Sequence, residues 1–132
     1  MDPEHWGPPL WNEMHSMTFE YPKSPGQHDK SNIINYFRGI VVVLPCEKCR
    51  DHYQSELEMY PIENFVNSSE EVSKWLVDLH NRVNARLGKP YFSYEEAVIK
   101  YTRRERYTNI LILFLFLCFL ILILLGKKNG QR

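Results

Sequence analysis

The residues of this chain best able to do chemistry lie in Leu44-Pro45-Cys46-Glu47-Lys48-Cys49-Arg50, where two cysteines are separated by two residues. The third cysteine, Cys118, is far away inside an apolar run. A CxxC pair permits three chemistries: a redox dithiol, half of a metal site, or two idle thiols. One helical turn can bring the two sulfurs within bonding distance. If Pro45 opens a helix, Cys46 falls in its first turn. Unpaired backbone N–H groups and the helix dipole then favour the thiolate, the reactive form of the side chain. Lys48 and Arg50 add positive charge in the same sense.

Around this pair stand polar groups that helical periodicity puts near a core. His15 lies one turn beyond Trp11, and His80, Asn81 and Asn84 lie beside the stripe Trp75, Leu79 and Val83. Each alone is accounted for by an ordinary hydrogen bond between helices. Together with a dithiol they suggest a cavity for a polar, planar ligand, with Trp6, Trp11, Tyr21, Trp75, Tyr91 and Tyr101 available as stacking surfaces. Plain core packing is the simpler role for most of these aromatics taken one by one.

The elements that must position these groups read as helices. Trp6-Gly7-Pro8-Pro9 is a stiff lead-in whose prolines suit a first helical turn. Leu10, Trp11, Met14, His15 and Thr18 then recur at spacings of three and four, the mark of an amphipathic helix. Tyr21-Pro22-Lys23-Ser24-Pro25-Gly26 ends it. A second helix is predicted from Asp29 to Val43, with Ile33, Ile34, Phe37, Ile40, Val41 and Leu44 inward. Val41-Val42-Val43 resembles a strand, but no second strand-like segment is present to pair with it. The third helix starts near Pro45 and carries Cys46, Cys49, Tyr53 and Leu57 at helical spacing until Tyr60-Pro61. Ser68-Ser69-Glu70-Glu71 has the pattern of a capping box. The fourth helix behind it stops at Gly88 and Pro90. A short fifth helix begins near Tyr94. The predicted fold is an all-α four-helix bundle with a short fifth helix.

From Ile110 to Leu125 the chain is Leu, Ile and Phe broken only by Cys118. That run makes about 24 Å of helix against a hydrocarbon core of about 30 Å, and its neighbours extend it to the usual spanning length of about 20 residues. A buried core helix is the alternative, but no partner of matching apolarity exists elsewhere in the chain. The expected organisation is a domain over residues 1–102, a basic juxtamembrane segment over 103–109, a transmembrane helix over 110–126 and a short basic tail over 127–132. Basic residues on both flanks leave the positive-inside rule indecisive. Met1-Asp2-Pro3-Glu4-His5 has neither a basic n-region nor an apolar h-region, so no cleavable signal is expected. The expectation is therefore a single-pass anchor, inserted after synthesis, that leaves the domain in the cytosol on a host membrane or in a virion. Before residue 107, thirteen basic residues face all sixteen acidic ones, a formal charge of −3. That balance carries no electrostatic footprint for nucleic acid.

At this point the motifs carry a resemblance. Trp6-Gly7-x3-Trp11-x3-His15, Tyr21-Pro22, Pro45-Cys46-x2-Cys49, the block His80-Asn81-x-Val83-Asn84-x2-Leu87-Gly88-Lys89-Pro90-x-Phe92, and Tyr101 resemble the Erv/ALR family of FAD-dependent sulfhydryl oxidases. The compact form is similar to members encoded by large cytoplasmic DNA viruses. The resemblance implies a four-helix bundle with a short fifth helix, usually a homodimer, holding FAD beside the dithiol. It implies that Gly7, Trp11, His15 and Tyr21 line the flavin from the first helix. His80, Asn81, Val83, Asn84, Lys89 and Phe92 hold the ring and the adenine-pyrophosphate part, with Lys100 and Tyr101 contributed by the fifth helix. It further implies that Cys46 exchanges with thiol-containing protein substrates and that Cys49 passes electrons to the flavin, which gives them to molecular oxygen and makes hydrogen peroxide.

The chain departs from many members in lacking a second, shuttle cysteine pair. Cys118 in mid-anchor is most simply a small apolar filler. Direct reaction with substrate, or relay through a separate thioredoxin-like protein, must then replace the shuttle. Two other functions bear weighing. Cys46, Cys49, His52 and His80 have the ligand types of a Cys2His2 zinc site in a membrane-tethered module. A thioredoxin-like reductase is excluded by the want of a βαβ pattern around the CxxC.

Overall fold

The computed structural model describes the backbone of residues 2–129 and the side chains of residues 2–102 and 110–121. Among the described residues every regular element is helical: α1 (Pro3–Glu20), α2 (Gln27–Val43), α3 (Glu47–Met59), a 3-10 turn (Ile62–Phe65), α4 (Ser69–Arg86) and α5 (Tyr94–Asn129).

The first helix begins earlier than its prolines suggest. Asp2 caps it, its carboxylate accepting the Glu4 N–H at 3.0 Å, and Pro3 occupies the first turn. Pro8 and Pro9 therefore lie inside the helix, where each removes a backbone donor. The carbonyls left without that donor belong to Glu4 and His5, both exposed, so water can replace the missing bonds. Tyr21 ends the helix as expected.

Helix α2 buries Ile33, Phe37 and Ile40, with Leu44 buried just past its end, while Val42 and Val43 are 81% and 72% exposed. Ser68 caps α4, its hydroxyl accepting the Glu71 N–H at 3.1 Å. Only this half of the predicted capping box forms. The Glu71 carboxylate turns instead to Asn67, accepting from its backbone N and its amide. Gly88 ends the helix with φ 65°, a left-handed conformation that costs a side-chain-free residue nothing. The fifth helix is not short. It runs without interruption through the residues expected to form the anchor, because no glycine or proline lies between Tyr94 and Leu125.

The main core gathers Met14, Phe37, Ile62, Val72, Trp75, Leu76 and Leu79 between α1, α2 and α4. Phe37 meets Trp75 edge-on with centroids 4.9 Å apart. The polar tips of buried aromatics reach backbone carbonyls: Trp75 Nε1 donates to Tyr60, Tyr53 Oη to Phe37 and Tyr21 Oη to Val66. Each of these bonds offsets the desolvation of its donor. A smaller cluster of Val77, Ala97 and Tyr101, flanked by Phe19, Phe92 and Tyr94, seats the first turns of α5.

The chain divides into two compact units, residues 1–101 and residues 102–132. In the second, besides Thr102, the described side chains run from Ile110 to Ile121 and are apolar and mostly exposed. Among the described residues no helix is long and apolar enough to cross a membrane. The expected span over 110–126 continues past the last described side chain, Ile121, so its final part lies outside the described residues.

Two substitutions separate core from cap. Phe37→Ala should lower unfolding free energy by about 3–5 kcal/mol, as for other fully buried phenylalanines. Ser68→Ala should cost about 1 kcal/mol, the usual loss of an N-cap. Denaturant unfolding of the two variants checks both values.

Candidate active site

Cys46 and Cys49 are joined as a disulfide, with Cα atoms 5.1 Å apart. Pro45 does not open α3. Cys46 is its N-cap, in an extended conformation, and its Sγ accepts the Cys49 N–H at 3.2 Å. The sulfur thus occupies the place that a serine or aspartate oxygen usually takes. In the reduced protein the same N–H and the helix dipole would favour a thiolate on Cys46. Arg50 braces the approach to this cap, donating from Nη1 to the Leu44 carbonyl at 2.6 Å. Both cysteines are half-buried, so exposure alone does not divide labour between them.

Helices α1 and α4 bring a second group together. The Trp11 ring stacks on the His80 imidazole at 3.8 Å with an interplanar angle of 3°. His15 Nε2 and His80 Nδ1 share a hydrogen bond of 3.0 Å. His15 also stacks on Tyr101 at 4.3 Å, and Phe92 meets both imidazoles edge-on. Burial holds the His15 pKa down to about 3, with smaller contributions from His80 and Lys100. Burial likewise lowers His80 to about 4, helped by Lys100 and Lys89. Both rings are therefore neutral near pH 7, and one of them donates the shared proton. His15 Nδ1 and Trp6 Nε1 are buried with no hydrogen-bond partner among the described residues.

The other residues singled out from sequence have varied settings. Asn81 is engaged at both ends of its amide, donating to the Phe92 carbonyl at 2.8 Å and accepting the Phe92 N–H at 3.1 Å. Asn84 donates to the Pro90 carbonyl at 3.3 Å, and its own carbonyl accepts the Lys89 N–H. These amides pin the loop after α4, and with it Phe92. Val83 is half-buried on the same helix. Lys89 pairs with Glu4 at 2.6 Å, and Lys100 lies over the Tyr101 ring. A side chain at Gly7 would meet nothing within 4 Å. Tyr21 belongs to the main core and also lines an open cleft of about 320 Å³ between α1 and α2, which contains neither cysteine nor histidine.

The zinc alternative finds no site. Cys46 and Cys49 bond each other, and no three His, Cys, Asp or Glu side chains among the described residues gather as a ligand set. Sequence reasoning missed Glu56, which is 3% exposed and ion-paired to both Arg82 and Arg86. Its signal was faint: Glu56 falls three residues after Tyr53 and seven after Cys49, hence on the inward face of α3.

With this geometry in place, comparison with known proteins is specific. The family described as Erv1 / Alr matches residues 8–105. The chain belongs to the Erv1 / Alr family. It is 40% identical over 99 residues to a probable FAD-linked sulfhydryl oxidase of Acanthamoeba polyphaga mimivirus, covering 74% of this chain and 69% of that one. It is 35% identical over 92 residues to an FAD-linked sulfhydryl oxidase of African swine fever virus, covering 70% and 76%. The fold is similar to the crystal structure of the FAD binding domain of Erv1 from Saccharomyces cerevisiae, with a TM-score of 0.72 at 27% identity, covering 76% of this chain and 94% of that one.

The depressed imidazoles give a signed pH dependence. A histidine whose folded pKa lies below its unfolded value of about 6.5 keeps its contribution above that pH and loses it as pH falls towards the folded value. Stability should thus be flat in this respect above pH 6.5 and decline below it, down to about 4 for the His80 part and about 3 for the His15 part. Urea unfolding across that range should give a slope shallower by about one proton in His80→Gln than in the parent.

Proposed function

We infer that this chain is a FAD-linked sulfhydryl oxidase that makes disulfide bonds in proteins through Cys46 and Cys49. The observation that carries the reading is a disulfide at a helix N-cap in a chain of the Erv1 / Alr family, in a domain that also holds a cluster of stacked aromatic and imidazole rings. A substrate thiolate attacks Cys46 Sγ, breaks the Cys46–Cys49 bond, and leaves Cys49 as the thiolate. A second substrate thiol, deprotonated, attacks the substrate sulfur of that mixed disulfide and releases Cys46. The substrate loses two electrons and two protons, and the enzyme gains a dithiol. Cys46 is the entry sulfur in this assignment because the N-cap N–H stabilises its thiolate when it is released.

The residues fit a planar, polar cofactor. His15 Nδ1 and Trp6 Nε1 are buried polar atoms wanting partners, and each such group left unmet costs about 1–3 kcal/mol. The Trp11, His80, Phe92 and Tyr101 rings offer apolar faces to a ring system. Gly7 leaves the surface of α1 bare. Asn81, Val83 and Asn84 shape the wall by holding the Phe92 loop, and Lys89 and Lys100 supply positive charge for a pyrophosphate. Tyr21 supports the end of α1. Bound FAD would supply a two-electron acceptor for the dithiol and, on reoxidation by oxygen, hydrogen peroxide. Protein thiols reach Cys46 directly or through a thioredoxin-like relay, and the working form is a homodimer.

We assign residues 110–126 as a single membrane span that tethers the oxidase to a cytosol-facing membrane surface. The unbroken apolar run supports it. A tether raises effective concentration towards membrane-bound substrates with no new contact.

Cys46→Ser and Cys49→Ser should each abolish oxidation of a protein dithiol while the purified protein keeps its flavin, and Cys118→Ser should leave turnover in detergent unchanged. Oxygen uptake with a reduced protein substrate checks all three, and substantial turnover in either active-site variant would sink the mechanism. For the anchor, protease added to sealed microsomes carrying the full chain should digest residues 1–102. Protection of that domain would put it in the lumen.

A further inference from the structure

Passing electrons from the dithiol to the cofactor needs Cys49 on α3 to keep a fixed relation to the cofactor surface that His80 of α4 helps to form. Side-chain contacts hold α3 along its length, and at its C-cap the Tyr60 carbonyl accepts from Trp75 Nε1 while its hydroxyl donates to Asp78 of α4. Arg50 donates to the Leu44 carbonyl and Tyr53 Oη to the Phe37 carbonyl, at 2.6 and 3.1 Å. Both of these tie α3 to α2 or to Leu44, the residue just past its end. Farther along, Glu56 reaches α4, with Oε2 2.9 Å from Arg82 Nη1 and Oε1 on Arg86 Nη2. The Glu56 side chain is 4% exposed, whereas those of Arg82 and Arg86 are 45% and 33% exposed. Arg82 also lies 5.3 Å over the ring of Tyr60, the residue that caps α3.

A carboxylate in this place is an odd choice if burial were all that mattered. Taking a charge out of water is costly, and well-packed apolar side chains often hold helices together as well or better. What the charged arrangement adds is direction. The two arginines sit four residues apart, one turn of α4, and each takes one oxygen of the same carboxylate. Sliding α3 by a turn would carry the carboxylate away from at least one of the two arginines and leave part of a buried charge unpaired. His80, Asn81 and Asn84 lie in the same two turns of α4 as the arginines, and Cys49 lies two turns before Glu56 on the same face of α3.

We propose that the contact of Glu56 with Arg82 and Arg86 is a register clamp that holds the Cys46–Cys49 disulfide at the correct distance from the cofactor surface of α4. Glu56 is then a positioning residue for electron transfer out of Cys49. It takes no part in exchange with substrate thiols at Cys46. This inference rests on the oxidase reading.

The test uses the full-length holoprotein in detergent and three measurements on Glu56→Gln. These are reduction of the disulfide by a small thiol, followed by alkylation and mass; the long-wavelength absorbance that a Cys49 thiolate gives against oxidised flavin; and the rate of flavin bleaching by a dithiol. The clamp predicts disulfide reduction at the parent rate, a weakened long-wavelength band, and bleaching slower by about tenfold to a hundredfold, the scale of a misplacement near 1 Å. An unchanged band and bleaching rate overturn it. Equal losses in disulfide reactivity, flavin content and melting temperature also overturn it, since they mark a structural role alone. If Glu56→Gln does not fold, Arg82→Lys keeps the charge and removes the planar fork. A weakened band with slower bleaching there supports the clamp, and parent values refute it. A parent protein without flavin, or with flavin that dithiols do not bleach, fails the oxidase reading and is told apart by that control.

Discussion

The constraint on which this structure most depends is the desolvated contact between α1 and α4. Trp11 lies flat on His80, and His15 is held between the same imidazole and Tyr101. Two imidazoles 3.0 Å apart cannot both carry charge at modest cost, and burial removes the charge from each. Neutrality makes the stack possible, because an imidazolium there would have to be desolvated. Once α1 and α4 are fixed, Phe37 of α2 closes the core against Trp75 from the other side, and the first turns of α5 settle through Ala97 and Tyr101.

Helix α3 stands in a different relation to this frame. It contributes Tyr53 to the core, packs Leu57 against it, and is also held by polar ties at its start, middle and end. Its start is the chemical part. A sulfur used as an N-cap accepts a backbone N–H that every helix must satisfy in some way, so the requirement that starts α3 also favours a thiolate at Cys46. Placing redox chemistry at the end of an element keeps the disulfide half-exposed while the helix behind it stays anchored.

Membership of the Erv1 / Alr family and the local rings agree on what the domain can hold. The comparison gives a fold and a cofactor class. The ring geometry adds two buried polar atoms without partners among the described residues, His15 Nδ1 and Trp6 Nε1. Asn81 and Asn84 act one step removed, through the loop that carries Phe92.

The sequence by itself determined an all-helical domain, because apolar residues recur at helical spacing while Pro22, Pro61 and Gly88 punctuate them. It also supplied the CxxC pair and the identity of the rings, since residue types and their spacing are one-dimensional facts, but left the chemistry of the pair open among three choices. Local signals misled where two solutions compete for the same backbone groups. Pro8 and Pro9 read as a helix start but lie inside α1, because exposed carbonyls can lose their donors to water. Pro45 read as the first residue of α3, yet the sulfur of Cys46 takes the cap. The fifth helix read as short because its composition changes, although nothing in its backbone requires a break. Tertiary structure alone decided that Trp11 meets His80 across 69 positions of sequence and that Glu56 finds Arg82 and Arg86. No periodicity encodes which faces of separate helices meet, and a buried carboxylate is recognisable only once its partners are seen to surround it.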